Sequence, residues 1–207
     1  MKVTVIGSGN MGSALARQIV KAGHSLVVSG RNSAQAKDLA QTLGATYRAT
    51  DAVQGADAVV LATPYNEALS ALRAAGDLRG KIVIDITNPL TADFMGLTIG
   101  HSTSAAEQIQ QAFAEAKVVK AFNTVFAQVL AQGAKLHEAT VPVFFAGDDA
   151  SAKEKVKALI QSMGFSPVDA GPLKNARYLE PLAGLNIYLG YGAGRGTSIA
   201  PAWIGVA

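Results

Sequence analysis

The sequence predicts an α/β domain of the doubly wound kind, a mostly parallel sheet with helices on both faces. Three observations carry that expectation. Apolar runs bounded by turn residues alternate with helical patterns almost to the end of the chain, the order that builds a parallel sheet. Runs such as Ala58-Val-Val-Leu-Ala62 are apolar at every position, as a strand covered on both faces must be. The first strand also runs straight into Gly7-Ser-Gly9-Asn-Met-Gly12 and then a helical pattern. Strand, glycine turn and helix together are the Rossmann-type arrangement, in which helix-terminal N–H groups meet a dinucleotide pyrophosphate.

In chain order the expected strands are Lys2–Ile6, Ser25–Ser29, Thr46–Arg48, Ala58–Ala62, Ile82–Asp85, Val118–Ala121, Val141–Ala146 and Pro167–Asp169. The expected helices are Met11–Ala22, Ala34–Leu43, Glu67–Ala74, Ser104–Phe113, Ala127–Gln132, Ala150–Met163 and Leu173–Leu189. Gly23, Gly44, Gly80, Gly164 and the Gly171-Pro172 pair punctuate them. Ser104-Ala-Ala-Glu107 reads as a capping box, the serine accepting from an amide and the glutamate reaching back. No repeat or low-complexity linker interrupts the order. One unit over residues 1–207 is expected, with residues 173–207 as a C-terminal helix and irregular tail that caps a cleft or meets a partner subunit.

The 207 residues are 49% hydrophobic and 16% charged, with no block of like charges, which fits a folded core and excludes disordered tails. A scattered net charge of +3 gives no reason to expect nucleic acid. With no cysteine there is no disulfide, thiolate nucleophile or sulfur-bound metal. The chain opens on a strand, and no apolar run approaches the ~20 residues that span a bilayer. The expected setting is cytoplasmic, without a membrane partner.

Gly7 allows the tight turn, Gly9 the backbone approach to the pyrophosphate, and Gly12 close helix–strand packing. Ser8, Asn10 and Met11 contribute main-chain donors from the same loop. The second strand ends without the acidic residue that binds the 2′-hydroxyl of NAD. It ends on Ser29, Arg31 and Asn32, which suit a 2′-phosphate, so NADP(H) is the expected cofactor. Lys37, one turn into the next helix, adds charge there. Thr63-Pro64-Tyr65 and Thr87-Asn88-Pro89-Leu90 follow two further strands at the same sheet edge, and Lys120-Ala121-Phe-Asn123-Thr124 stands at the end of a third. The prolines offer a flat apolar wall to a nicotinamide, and Asn123 a hydrogen bond to a carboxamide or second ring. His24, His101 and His137 are scattered and lack metal-ligand spacing, so no metal is expected. With no acid–base pair or nucleophile motif, the expected catalytic set is empty. Hydride transfer between two bound rings needs orientation and exclusion of water rather than such groups. Tyr65 is the one proton-donor candidate for carbonyl reduction.

These stretches resemble the deazaflavin (coenzyme F-420):NADP oxidoreductase family and the NADPH domain of six-transmembrane metalloreductases. The resemblance is carried by Val5–Gly12, Ser29–Asn32, Asp85–Pro89, Ser104–Glu107, Val118–Thr124, Pro142–Asp148, Asp169–Leu173 and Ala176–Glu180. It implies a Rossmann domain with the pyrophosphate on Ser8–Gly12 and the 2′-phosphate on Ser29, Arg31 and Asn32. It places the nicotinamide near Thr63, Pro64 and Ala121–Asn123, with FMN, FAD or coenzyme F-420 as hydride partner; the exposed apolar side of the last helix points to a homodimer. Archaeal deazaflavin enzymes carry His where Asn123 stands, so the acceptor stays open between deazaflavin and flavin. A small imine or 3-hydroxyacid reductase and a non-catalytic NADPH-sensing module are the alternatives.

Overall fold

In the computed structural model, which describes residues 1–205, the chain builds one eight-stranded sheet and a small hairpin. The elements run β1 (Lys2–Ile6), α1 (Asn10–Lys21), β2 (Ser25–Ser29), α2 (Ser33–Thr42), β3 (Thr46–Tyr47), β4 (Ala58–Leu61), α3 (Ala68–Ala75) and β5 (Ile82–Asp85). They continue with α4 (Ala105–Ala112), β6 (Lys117–Ala121), α5 (Ala127–Gln132), β7 (Lys135–Leu136), β8 (Ala139–Thr140), β9 (Pro142–Gly147), α6 (Ala150–Ser162), β10 (Ser166–Asp169) and α7 (Ala176–Ile187).

Strand order is β10-β9-β6-β5-β4-β1-β2-β3. Six neighbours from β3 to β6 pair in parallel in the order 3-2-1-4-5-6, the arrangement that reverses direction of winding between β1 and β4. Within the eight-stranded sheet, among the described residues, only the β6–β9 pairing is antiparallel, and β10 then follows β9 in parallel. Helix α5 and the β7–β8 hairpin stand between β6 and β9. The hairpin was not among the expected elements. Its strands are two residues each, too short to carry a period.

Because the sheet is covered twice, β4 and β5 are buried at every position. Their alternate side chains face two cores. On one side Val3, Val5, Ala58 and Val60 pack with Leu15 and Ile19 of α1, Val129 and Leu130 of α5, and Leu159 and Ile160 of α6. On the other side Val59, Leu61 and Val83 pack with Leu72 of α3 and Ile109 of α4. Phe144 and Ala146 of β9 receive Leu179 of α7.

The expected helix over 173–189 resolves into three pieces. A 3₁₀ turn spans Leu173–Asn175, α7 follows, and wide π-type turns span Tyr188–Gly192. Gly190 and Gly192 permit the wide turn: a Cβ on Gly190 would sit 2.7 Å from the Phe126 ring. The turn sets Tyr191 edge-on to Phe126, with ring centroids 5.7 Å apart. Beyond it the tail folds back, Ile199 against the first core and Trp203 edge-on to Phe144 at 5.3 Å. The last two residues of the expected 173–207 segment lie outside the described residues. No helix among the described residues is long and apolar enough to cross a membrane.

Candidate functional site

The carboxyl ends of β1, β4, β5 and β6 open onto a cleft of about 1210 Å³. Its first wall is the β1–α1 turn. Gly7 lies at φ 114°, donates its N–H to the Ser29 carbonyl at 2.8 Å, and approaches β4 so closely that a Cβ would stand 2.2 Å from the Ala62 oxygen. A Cβ on Gly12 would stand 1.9 Å from the Gly7 oxygen, whereas one on Gly9 would meet nothing within 4 Å. The two outer glycines therefore serve packing, and the middle one faces open space. Gly9 also begins α1 without a side-chain cap, which leaves the first-turn amides free for an anion.

The end of β2 is arranged for charge. Ser29 is buried, and Arg31 is exposed with its Nη1 2.8 Å from Glu67 Oε1. The Asn32 side chain accepts from Gln35 N at 3.1 Å and so caps α2. Gln35 also faces Ser8, whose hydroxyl lies 3.3 Å from Gln35 Oε1. Lys37 is turned onto the Tyr47 ring, 5.4 Å from its centroid.

Of the expected residues, the cleft is lined by Gly9, Asn10, Met11, Thr63, Pro64, Tyr65, Asn88 and Asn123. Gly7, Ser8, Gly12, Ser29, Arg31 and Asn32 stand behind or beside this wall. Two expectations need correction. Ala121 is fully buried in β6, and Pro89 is buried beneath the loop that follows it, so neither reaches the cleft. The chain turns into the site only at Phe122, a buried residue at φ 60°, a conformation that a bulky side chain adopts under constraint.

That turn aims Asn123 at Asn88. Asn123 Nδ2 donates to Asn88 Oδ1 at 3.0 Å and to the Leu179 carbonyl at 2.9 Å, and Asn88 Nδ2 donates to the Asn123 carbonyl at 3.0 Å. Asn123 Oδ1 is left without a partner, as are the hydroxyls of Thr63, Thr87 and Thr124, all buried. Buried polar atoms are normally satisfied. Four orphans on residues lining one apolar cleft suit a ligand that carries both donors and acceptors, as a carboxamide does.

Tyr65 lines the cleft, but its hydroxyl donates to Gln108 Oε1 on α4. Burial, then the Glu180 and Asp85 carboxylates, push its pKa above the usual phenol value against the opposing pull of Lys120. A phenol so held is a poor proton donor to a substrate, which corrects that expectation. Among the lining residues Asp93 is the only carboxylate, and none is Lys, Arg or His.

Sequence reasoning missed the ionic cluster beneath the floor. Lys120 is fully buried, with its Nζ 2.9 Å from Asp85 Oδ2, 2.8 Å from Glu180 Oε1 and 2.5 Å from the Thr87 carbonyl. Burial alone would lower its pKa, but the Asp85 and Glu180 charges outweigh it and hold the ammonium above its usual value. Asp85 Oδ1 accepts from Thr87 N at 2.9 Å, and Glu180 accepts from Ala105 N and Ala106 N at 2.9 and 3.2 Å. One lysine thus fixes the Thr87–Asn88 loop, the start of α4 and helix α7 against the sheet. The signal was a lysine and an aspartate, each embedded in an apolar run, on what became adjacent strands.

The capping box at Ser104 is also modified. Ser104 Oγ accepts from Glu107 N at 3.2 Å as expected. The Glu107 carboxylate, however, takes the Ser104 hydroxyl at 2.7 Å and both Arg177 Nη2 and Nε at 2.6 and 2.9 Å.

Residues 2–89 match the family model described as NADP oxidoreductase, coenzyme F420-dependent. The F420-dependent NADP reductase of Methanocaldococcus jannaschii is 30% identical over 90% of this chain and 93% of its own length. Metalloreductase STEAP3 of Rattus norvegicus is 33% identical over 87% of this chain, which spans 36% of that protein's length. A crystal structure of a protein assigned as an F420-dependent NADP reductase from Arthrobacter sp. FB24 superposes with a TM-score of 0.87 at 32% identity, covering 98% of this chain and all of its own. With the β1–α1 glycine turn and the 3-2-1-4-5-6 sheet, the likeness to the Methanocaldococcus jannaschii reductase over nearly the whole of both chains places this one in the coenzyme F420-dependent NADP oxidoreductase family.

Proposed function

We propose that this chain is an NADPH-dependent reductase that passes a hydride to a flavin or deazaflavin ring. The observation that carries the reading is the cleft itself: apolar, built on residues that hold four orphaned polar atoms, and lined by no Lys, Arg, His or Glu, with exposed Asp93 and the phenols of Tyr65 and Tyr191 as the titratable groups among its lining residues. Such a site orients two rings and does not move protons. NADPH, when bound, supplies the hydride, and a solvent proton completes reduction of the ring.

In this reading the free amides of Gly9–Gly12 receive the pyrophosphate, and Arg31 leaves Glu67 for the 2′-phosphate beside Ser29 and Asn32. Thr63, Pro64, Asn88 and Asn123 hold the nicotinamide end, with Lys120 fixing the loops that carry them. We also propose a homodimer. Tyr178, Leu185 and Tyr188 are exposed along one face of the C-terminal helix and its extension, an apolar stripe suited to a second copy.

Oxidation of NADPH, with NADH as control, is to be followed in parallel with FMN, FAD, riboflavin and coenzyme F420. Turnover with at least one ring acceptor and a preference for NADPH is the expected result. Tight NADPH binding with no oxidation by any acceptor would replace this reading with that of a sensor.

A further inference from the structure

The β1–α1 glycine turn is gripped from both sides. Strand order places β1 between β2 and β4, and the segments that leave those two strands close on the turn. On the β2 side a Cβ on Gly30 would stand 3.6 Å from Gly7 N and 3.7 Å from Ser8 N. On the β4 side the Ala62 carbonyl presses on Gly7 itself. Arg31 comes directly after Gly30, and Glu67 shortly after Ala62. Their ion pair, Nη1 to Oε1 at 2.8 Å, therefore ties together the two flanks of the turn proposed to receive the pyrophosphate.

The two partners differ in freedom. Glu67 ends the 3₁₀ turn Tyr65–Glu67, and its amide donates to the Pro64 carbonyl at 3.0 Å. The Ser70 hydroxyl donates to the Glu67 carbonyl at 2.9 Å, and the Tyr65 hydroxyl ties the start of the turn to Gln108 of α4. The Glu67 side chain is 31% exposed, against 83% for Arg31. The guanidinium is thus the partner that can travel, and the carboxylate the one that stays. A 2′-phosphate beside Ser29 and Asn32 and the carboxylate of Glu67 are rivals for one guanidinium fork, since both are oxyanions that accept from it. A dinucleotide without that phosphate offers no rival and leaves the pair intact. Once the phosphate holds Arg31, Glu67 has lost its partner and stands as a like charge near the ligand. Both effects hasten departure of NADP(H).

We propose that Glu67 competes with the 2′-phosphate for Arg31 and so sets how long NADP⁺ and NADPH stay bound, without acting on NAD(H). The inference rests on the assignment of Arg31 to the 2′-phosphate and adds the residue that takes the guanidinium back. Product release limits turnover in many enzymes, and oxidised cofactor keeps its 2′-phosphate, so the same competition acts on the departing NADP⁺.

Binding is measured apart from turnover, by fluorescence titration with NADPH and with NADH, and by displacing bound NADPH with excess NADP⁺ in stopped flow. Glu67→Gln keeps the shape of the side chain and removes its charge. It is expected to tighten NADPH binding about fivefold at low salt, the upper range for an exposed ion pair, and to slow NADPH release by a similar factor. NADH affinity should not move, and the gain should shrink in about 0.5 M NaCl, where exposed charges are screened. In an Arg31→Ala background the same substitution should have no effect on NADPH, because the group competed for is gone. Unchanged or weaker NADPH binding by Glu67→Gln would overturn the proposal. So would an equal change with NADH, which marks a merely structural role, or a gain that persists without Arg31. The phosphate assignment fails separately, if Arg31→Ala weakens NADPH and NADH alike, and this inference falls with it. If Arg31→Ala separates the two cofactors and Glu67→Gln changes neither, the role of Glu67 alone is lost.

Discussion

Arg31 illustrates how a single residue can be set for a ligand. Its guanidinium is largely exposed and, among the described residues, paired with Glu67 alone, an arrangement that costs little to break because exposed ion pairs contribute little. Arg31→Ala should therefore leave folding nearly unchanged while weakening NADPH binding by about 1.5–3 kcal/mol, the size of a lost charged hydrogen bond. NADH binding should change far less in the same titration, and equal losses would remove the phosphate assignment. Lys120 is the opposite case. Lys120→Met would strand two buried carboxylates, Asp85 and Glu180, and is expected to destabilise the fold by about 3–5 kcal/mol in denaturant unfolding. The difference explains what could be read in advance. Glycine spacing and the charge at a strand end are local patterns, and both were legible before any coordinates. The Lys120 cluster joins residues from β5, β6 and α7, and no local pattern links them. Ala121 was misplaced for a related reason: its neighbour Phe122 takes a positive φ that spacing alone does not reveal.

At the scale of elements, long apolar runs carried their own boundaries, so every main-sheet strand and each of α1 to α6 fell within a residue or two of expectation. What escaped was short or irregular: the β7–β8 hairpin, the turn over residues 91–96 and the wide turns after α7. These depend on contacts with other segments rather than on period. The joint between α4 and α7 gives a test. Hydrogen bonds from Arg177, opposed by partial burial and reinforced by Ser104, hold Glu107 below the usual carboxylate range. A carboxylate with a depressed folded-state pKa stabilises above its unfolded pKa and loses that contribution as pH falls through the folded value. Arg177→Ala should accordingly lower Tm at neutral pH, by an amount equivalent to about 1 kcal/mol for a partly exposed pair. Its difference from the unaltered chain should close in acid, once Glu107 is protonated. A Tm difference that persists unchanged below that range would show that Arg177 acts through packing alone.

For the whole molecule, the order of strands determines where chemistry can occur. Winding reverses between β1 and β4, and the cleft lies at the carboxyl ends there, the position at which open α/β sheets bind ligands. The antiparallel β9 was not foreseen, yet it lies on the far side of β6 and leaves that edge intact. Leu185 is exposed on α7, and Leu185→Asp is expected to convert the proposed dimer into a monomer in light scattering. An unaltered chain that is monomeric at high concentration would remove the dimer proposal. Proposed hydride delivery from NADPH to a ring in this cleft is open to test by anaerobic mixing. Riboflavin absorbance should bleach in step with loss of NADPH absorbance and much more slowly with NADH, and deuterium at the transferred position of NADPH should slow it. Protein that binds NADPH but leaves riboflavin, FMN and coenzyme F420 oxidised would contradict the claim.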